Sequence, residues 1–156
     1  MSQKALSQLQ RYCAYQDRCH NECRTKLLEL GVYGDTLEEI LAQLISEDFL
    51  NEERFAKSYT RGKFRIKQWG RIRILSELRF RKISPYCIKE GLKEIDENEY
   101  TATINELLAK YGRTHPDLTG FDLRQKATQY VLSKGFEPDL VFPLAKTFFE
   151  AFSKRD

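Results

Sequence analysis

Arg73-Ile74-x-x-Glu77-Leu78-x-x-x-Lys82-Ile83 is a helical phrase that occurs three times in this chain. Fifty-one positions earlier stands Glu22-Cys23-x-x-Lys26-Leu27-x-x-x-Gly31-Val32, and fifty-three later stands Lys126-Ala127-x-x-Tyr130-Val131-x-x-x-Gly135-Phe136. In each copy a small or apolar residue recurs after four positions, which places both on one helix face. A glycine, or Lys82 in the middle copy, then precedes one apolar residue, as at a helix end where the chain turns through positive φ and docks. Repetition at this period predicts a modular array. Such arrays bind elongated partners more often than they perform chemistry.

Working outward from the phrase, each repeat reads as three helices. In the first, Leu6, Leu9, Tyr12 and Cys13 mark an opening helix, with Asp17 as a candidate cap for the next. The second helix carries Cys23, Leu27 and Leu30 and stops at Gly31. Asp35 or Thr36 is expected to cap a third, with Leu37, Ile40, Leu41 and Leu44 inward. Asn51 caps the opening helix of repeat two, whose buried side is read as Phe55, Tyr59 and Ile66. Its partner begins near Gly70 and buries Ile74, Leu75 and Leu78, with Arg73, Glu77 and Arg81 forming an outer ion-pair ladder. Ser84-Pro85 restarts the chain as cap and first helical residue, followed by Ile88, Leu92 and Ile95. Repeat three opens near Asn98 with Ile104, Leu107, Leu108 and Tyr111. A loop is expected over Gly112-Arg113-Thr114-His115-Pro116-Asp117, from its turn chemistry. The pattern resumes at Leu123, and Glu137-Pro138 opens a last helix with Leu140, Val141, Leu144 and Phe148. The expected fold is all-α: three tandem three-helix repeats over residues 1–50, 51–97 and 98–156, forming an elongated, curved molecule.

Composition fits that reading. Hydrophobic residues make up 41% of the 156 and aromatics 12%, enough for a packed core. No apolar run approaches the roughly 18 residues a bilayer span needs. The opening MSQKALSQLQRY is amphipathic and lacks an apolar h-region, which predicts no secretory signal. Cys13, Cys19, Cys23 and Cys87 are then expected as reduced thiols in a cytoplasmic protein.

Net charge is only +3, yet its distribution is uneven. From Lys57 to Lys82 there are ten basic residues and one acid, Glu77, a local +9. From Gly31 to Glu53 there are seven acids and no Lys or Arg. Blocks of this kind shape a local field that the total conceals. Lys57, Arg61 and Arg65 are expected on one outward face of their helix, with Arg71, Arg73, Arg81 and Lys82 extending it from the next. With Lys63 and Lys67, these residues are the candidate binding surface. Trp69, the single Trp, reads either as a staple over the core or as a stacking platform.

Enzymatic chemistry finds little support. His20 and His115 are the only histidines. Cys19 and Cys23 lie one turn apart, but no second Cys/His pair accompanies them, and Cys23 occupies the repeat's apolar position, so a core thiol is the better reading than a metal ligand. No P-loop or glycine-rich phosphate cradle is present. Glu38-Glu39 and Glu52-Glu53 are sequence neighbours that diverge on a helix rather than converge on a metal. No catalytic residue, metal or cofactor is predicted.

Phe49-Leu50-Asn51-Glu52-Glu53-Arg54-Phe55-Ala56-x-x-Tyr59, followed by Gly70-x-x-Arg73-Ile74-x-x-Glu77-Leu78, resembles the signature of the RecX family of bacterial recombination regulators. Glu22 with Lys26-Leu27 and the closing Lys134-Gly135-Phe136 match the first and third repeats of the same family. Lys82 departs from the family's glycine, which suggests a turn built differently at that point. Cys19 stands where a capping Ser is usual. The resemblance implies a non-enzymatic protein that binds the RecA recombinase, lodges along the groove of its single-stranded-DNA filament, and restrains filament growth, ATP hydrolysis, strand exchange and coprotease activity. It thus implies regulation of DNA repair and recombination. Single-stranded DNA is the second implied partner, with duplex DNA left open. The alternative from the residues alone is a sequence-tolerant DNA-binding protein of helix-turn-helix-like modules. The two differ over the acidic stretch from Asp35 to Glu53, which DNA would repel and a basic protein surface could meet.

Overall fold

In the computed structural model, residues 2–153 are described, and among them the elements are helices joined by short turns with no strand. The order is α1 Ser2–Tyr15, α2 His20–Glu29, α3 Gly34–Ser46, α4 Glu52–Arg65, α5 Arg71–Phe80, α6 Pro85–Leu92, α7 Glu97–Thr114, α8 Gly120–Ser133 and α9 Pro138–Ser153. The threefold phrase falls on α2, α5 and α8, the second helix of each triplet. Its apolar pairs, Cys23 and Leu27, Ile74 and Leu78, Ala127 and Val131, are all fully buried. The fold is all-α and repetitive, as the spacing predicts.

The turn that closes each phrase is also shared. Gly31, Lys82 and Gly135 have φ of 82°, 59° and 96°. Each donates its N–H to the carbonyl three residues back, at 3.0, 2.9 and 3.0 Å. In the first two copies the next residue closes the longer bond: Val32 N–H to the Leu27 carbonyl at 2.9 Å and Ile83 N–H to the Leu78 carbonyl at 3.1 Å. This is the Schellman arrangement, which satisfies helix-terminal carbonyls. Lys82 therefore keeps the positive-φ turn of the two glycine copies instead of rebuilding it. It adopts a left-handed conformation that costs an L-residue about 1 kcal/mol.

The chain divides into two compact units. The first comprises residues 1–59 and 77–93. Its core packs Leu6, Leu9 and Cys13 of α1 with Cys23 and Leu27 of α2 and Leu37, Ile40, Leu41 and Leu44 of α3. Ala56 of α4 lies so close to Gly91 of α6 that a Cβ on Gly91 would come within 2.9 Å of it. The second unit comprises residues 60–76 and 94–156. There Phe64, Tyr100 and Phe136 form a ring series with centroids 5.7 and 5.0 Å apart, beside buried Ile104, Leu107, Val131 and Val141.

Several local expectations need correction. Asp17 does not cap α2. Cys19 holds that position, its N–H donating to the Glu22 carboxylate at 3.1 Å, while Asp17 accepts from Arg54 Nε at 2.9 Å and Ser58 Oγ at 2.8 Å. The carboxylate is better used on a guanidinium, since a charged pair plus a hydroxyl satisfies it more fully than one backbone N–H. Helix α3 starts at Gly34 with Tyr33 before it and no side-chain cap, so neither Asp35 nor Thr36 serves. Ile66 is 79% exposed rather than buried, because it lies just past the end of α4 where the chain turns away. The loop expected from Gly112 begins later: α7 runs through Thr114, with Gly112 inside it. Asn51 and Ser84 cap α4 and α6 as predicted, accepting from Arg54 N–H at 2.9 Å and Cys87 N–H at 3.2 Å.

Candidate binding surface

The sequence places ten cations between Lys57 and Lys82, and the structure separates them by the company they keep. In the first unit, Lys57 lies 3.3 Å from Glu53, one turn back on α4. Arg81 pairs with Glu77 at 3.0 Å and stands over the Tyr59 ring, 4.8 Å from its centroid. The expected ladder of Arg73, Glu77 and Arg81 is thus a single pair. In the second unit, Arg61 pairs with Glu94, and Arg65 lies 3.7 Å from Glu99. The acids come from the turn before α7 and from its first turn, regions of sequence outside the basic block. Such exposed pairs add little stability, about 0–1 kcal/mol each, but they locally cancel the positive field.

Arg71 is a different case. Its guanidinium reaches Glu137 at 2.9 Å and also Glu97, and stacks 3.9 Å from the centre of the Tyr100 ring. Burial works against its charge, but the two carboxylates outweigh it and raise its pKa. Its own N–H donates to the Tyr100 hydroxyl at 2.9 Å, and that hydroxyl donates to Glu137. Arg71 is therefore a structural post rather than an available contact.

Two further members, Lys67 and Arg73, lie against the end of α8. Gly70 N–H donates to the Lys134 carbonyl at 2.8 Å and Ile72 N–H to the Gly135 carbonyl at 3.0 Å. The donors at the start of α5 thus meet acceptors at the end of α8, joining oppositely signed helix termini. Between these ends runs Trp69, half-buried, with the Arg73 guanidinium 4.0 Å and the Lys63 ammonium 4.9 Å from its ring centre. The half-buried indole carries two cations against its ring. Lys134 Nζ donates to the Lys67 carbonyl at 2.9 Å. Burial, then the charges of Arg73, Lys110 and Lys67, lower its pKa. Among the described residues no ion pair engages Lys67, Arg73, Lys82 or Lys134. Lys110 and Lys134 escape a reading confined to the basic block; only the fold brings them to it.

The thiols and imidazoles do not assemble a reactive centre. Cys13 and Cys23 lie 3.6 Å apart in the first core, and His20 pairs with Glu52 at 3.2 Å. His115 is exposed and stacks on Tyr111, centroids 3.9 Å apart. Among the described residues no three Cys, His, Asp or Glu side chains are grouped to hold a metal. No described helix is long and apolar enough to cross a membrane.

Residues 51–92 match the model of the RecX second three-helix domain, and residues 97–143 match that of the third. The chain belongs to the RecX family. Among its relatives are the regulatory protein RecX of Herminiimonas arsenicoxydans, 29% identical over 81% of this chain and 80% of that one. The regulatory protein RecX of Lactobacillus johnsonii is 24% identical over 87% of this chain, but this RecX-family chain spans only about half of that relative's length. The crystal structure of RecX from Lactobacillus salivarius superposes with a TM-score of 0.84 at 23% identity, covering 94% of this chain and 96% of that one. That likeness establishes the fold. The two matched domains contain α4–α6 and α7 to the start of α9, which places every cation of the basic block in or beside a RecX module.

Proposed function

We propose that this chain is a non-enzymatic regulator that binds the RecA recombinase and its single-stranded-DNA filament, restraining filament extension, ATP hydrolysis, strand exchange and coprotease activity in the cytoplasm. The observation that carries the reading is the pair of consecutive RecX modules over residues 51–143. Relatives named as regulatory proteins extend across most of this chain's length. The acidic face of α3 supports a protein partner over DNA alone. Asp35 and Glu39 are exposed on that helix with no partner among the described ion pairs, a surface that DNA phosphates would repel. The pairing of Lys57, Arg61, Arg65, Arg71 and Arg81 with carboxylates points the same way, since a surface for bare DNA gains from unopposed charge.

The test is the single-stranded-DNA-dependent ATPase of the cognate RecA with this chain at substoichiometric ratio. Turnover should fall well beyond what competition for DNA produces, because one molecule lodged in a filament affects many subunits. Inhibition that appears only when the chain is in excess over DNA sites, and that disappears when DNA is added, would leave the simple DNA-binding reading in its place.

A further inference from the structure

Lys67, Arg73 and Lys134 come from separate stretches of the second unit and meet at the C-terminal end of α8, and Lys110 is near enough for its charge to act on Lys134. We propose that this cluster, with Trp69, is a binding site for the phosphodiester backbone of single-stranded nucleic acid. The proposal rests on the reading above for its biological setting and supplies a location for the strand contact. It moves that contact away from the row Lys57, Arg61 and Arg65 that spacing alone selects.

The fold ties Lys134, Lys67 and Arg73 together. The Lys134 carbonyl accepts from Gly70 N–H, and its ammonium donates to the Lys67 carbonyl at 2.9 Å. Gly135 lies against Arg73, close enough that a Cβ there would stand 2.5 Å from the Arg73 Cβ. Arg73 in turn lies flat enough on Trp69 to bring its guanidinium carbon 4.0 Å from the ring centre. Like charges are thus gathered by backbone hydrogen bonds and close packing, against their mutual repulsion. Burial first, and then the charges of Arg73, Lys110 and Lys67, lower the Lys134 pKa, with no carboxylate among the causes to offset them. The carbonyl end of α8 favours one nearby cation. It does not account for four.

An anion would relieve that crowding. A phosphodiester chain fits better than an isolated carboxylate, because it presents successive charges to cations from several elements. A guanidinium fixed by stacking also offers a planar fork of N–H groups that matches phosphate oxygens. Cations interleaved with an aromatic ring are the combination by which sequence-tolerant surfaces hold single strands. By contrast, Arg61 and Arg65 already face Glu94 and Glu99, so a strand would have to displace a carboxylate at each.

The experiment uses the whole chain and a fluorescein-labelled oligo-dT without RecA, so its failure is separable from failure of the RecA reading. Anisotropy gives affinity, and emission of the single Trp reports the location. Unlabelled oligo-dT should change Trp69 emission saturably. The log–log salt dependence should have a slope of roughly −2 to −3, corresponding to three or four phosphates on a single strand. Lys67→Gln with Lys110→Gln, both exposed side chains, should weaken binding about tenfold at low salt and flatten the slope by roughly one. Arg73→Gln should weaken it further. Arg61→Gln with Arg65→Gln should change affinity by less than about twofold. Affinity untouched by the Lys67/Lys110 pair overturns the site even if Arg73→Gln perturbs folding. Polyglutamate competing as well as oligo-dT at equal charge also overturns it, in favour of an acidic protein partner.

Discussion

Gly70 and Gly135 meet backbone to backbone. A Cβ on Gly70 would lie 2.3 Å from the Gly135 carbonyl carbon and oxygen, and one on Gly135 would lie 2.5 Å from the Arg73 Cβ. The glycine that opens the helical phrase in repeat two is therefore required by the glycine that closes it in repeat three. Their contact lets the start of α5 donate two N–H groups to the end of α8. Gly70→Ala should destabilise the chain by more than the 1–3 kcal/mol of ordinary overpacking, since the obstacle is backbone and cannot change rotamer. Gly135→Ala should cost about as much, adding a penalty at φ of 96°. Gly112, helical and with open space where a Cβ would go, is the control: Gly112→Ala should stabilise by about 0.5–1 kcal/mol. Urea unfolding of the three variants checks the set, and equal effects at Gly70 and Gly112 would remove the close-approach explanation.

The shared phrase makes a second pair of expectations. Leu78 is fully buried, as are Leu27 and Val131, so Leu78→Ala should cost about 2–5 kcal/mol. Lys82→Gly should act oppositely, gaining about 1 kcal/mol by relieving the left-handed strain at φ of 59°. Chemical denaturation midpoints decide both. A loss below about 0.5 kcal/mol at Leu78 would be incompatible with burial in a well-packed core.

These two positions also show how much of the fold the sequence makes legible. The apolar pairs and the positive-φ turns are local and periodic, so a threefold phrase exposes them. Phe55 fits its expected burial, whereas Ile66, one position past the end of α4 at Arg65, is 79% exposed. Periodicity continues past the last helix turn on paper, but the chain reverses at Gln68, whose φ is 56°. The Gly112–Asp117 stretch differs for the opposite reason: its turn-forming residues favour a loop locally, but α7 continues through Thr114. Charge was the least legible property. Counting along the chain gives +9, while Glu94, Glu97, Glu99 and Glu137 arrive from outside the counted window to pair with Arg61, Arg71 and Arg65. No spacing rule connects Lys134 to Lys67 or Arg73, which only the fold brings beside it.

Tyr100 links the second core to the start of α5, and its ionisation should be visible in stability. Burial raises its pKa from 10.0, the hydrogen bond it donates to Glu137 adds to this, and the Arg71 N–H opposes it. A folded-state pKa above the unfolded one gives stability that is complete below about pH 10 and is lost as pH rises toward the folded value. The unfolding free energy should therefore fall above about pH 10 with a contribution of up to about 1.4 kcal/mol per pH unit from this group. Tyr100→Phe should be less stable at neutral pH, because Glu137 and the Arg71 N–H lose a partner, but flatter in the alkaline range. Parallel profiles for the two proteins would assign the alkaline loss to other groups.

Thiol reactivity should sort the four cysteines by burial. Cys87 is half-exposed, whereas Cys13, Cys19 and Cys23 are buried. Burial pushes the Cys19 thiol up to about 11, and the Cys23 thiol is raised first by its hydrogen bond with Cys13 and then by burial. Since a thiolate reacts only where the reagent can reach it, iodoacetamide at pH 8 should label Cys87 alone in the folded protein; burial shields even Cys13, whose hydrogen bond with Cys23 lowers its pKa, and the other three should react only on unfolding. Mass spectrometry of timed digests reads this directly; early modification of Cys23 would mean that the α1–α2 core opens far more readily than its packing indicates.

The acidic side of α3 provides the test that distinguishes a protein partner from DNA. Glu38 is committed to Arg24, whose guanidinium reaches it through two N–H groups, one at 3.1 Å, so reversing it would break a pair as well as a surface. Asp35 and Glu39 are exposed and can be changed more cleanly. Asp35→Lys with Glu39→Lys should leave the melting temperature within a few degrees, apart from the loss of first-turn negative charge at Asp35, about 0.3–1 kcal/mol. If α3 meets a basic surface on RecA, this variant should inhibit RecA ATPase at least about tenfold less well, the effect of losing roughly 1.4 kcal/mol of complementary contact. Its affinity for oligo-dT should stay the same or rise, because two repelling charges have been replaced by attracting ones. Inhibition that instead increases in step with oligo-dT affinity would show that the chain acts through DNA, and the role assigned to α3 would fall with it.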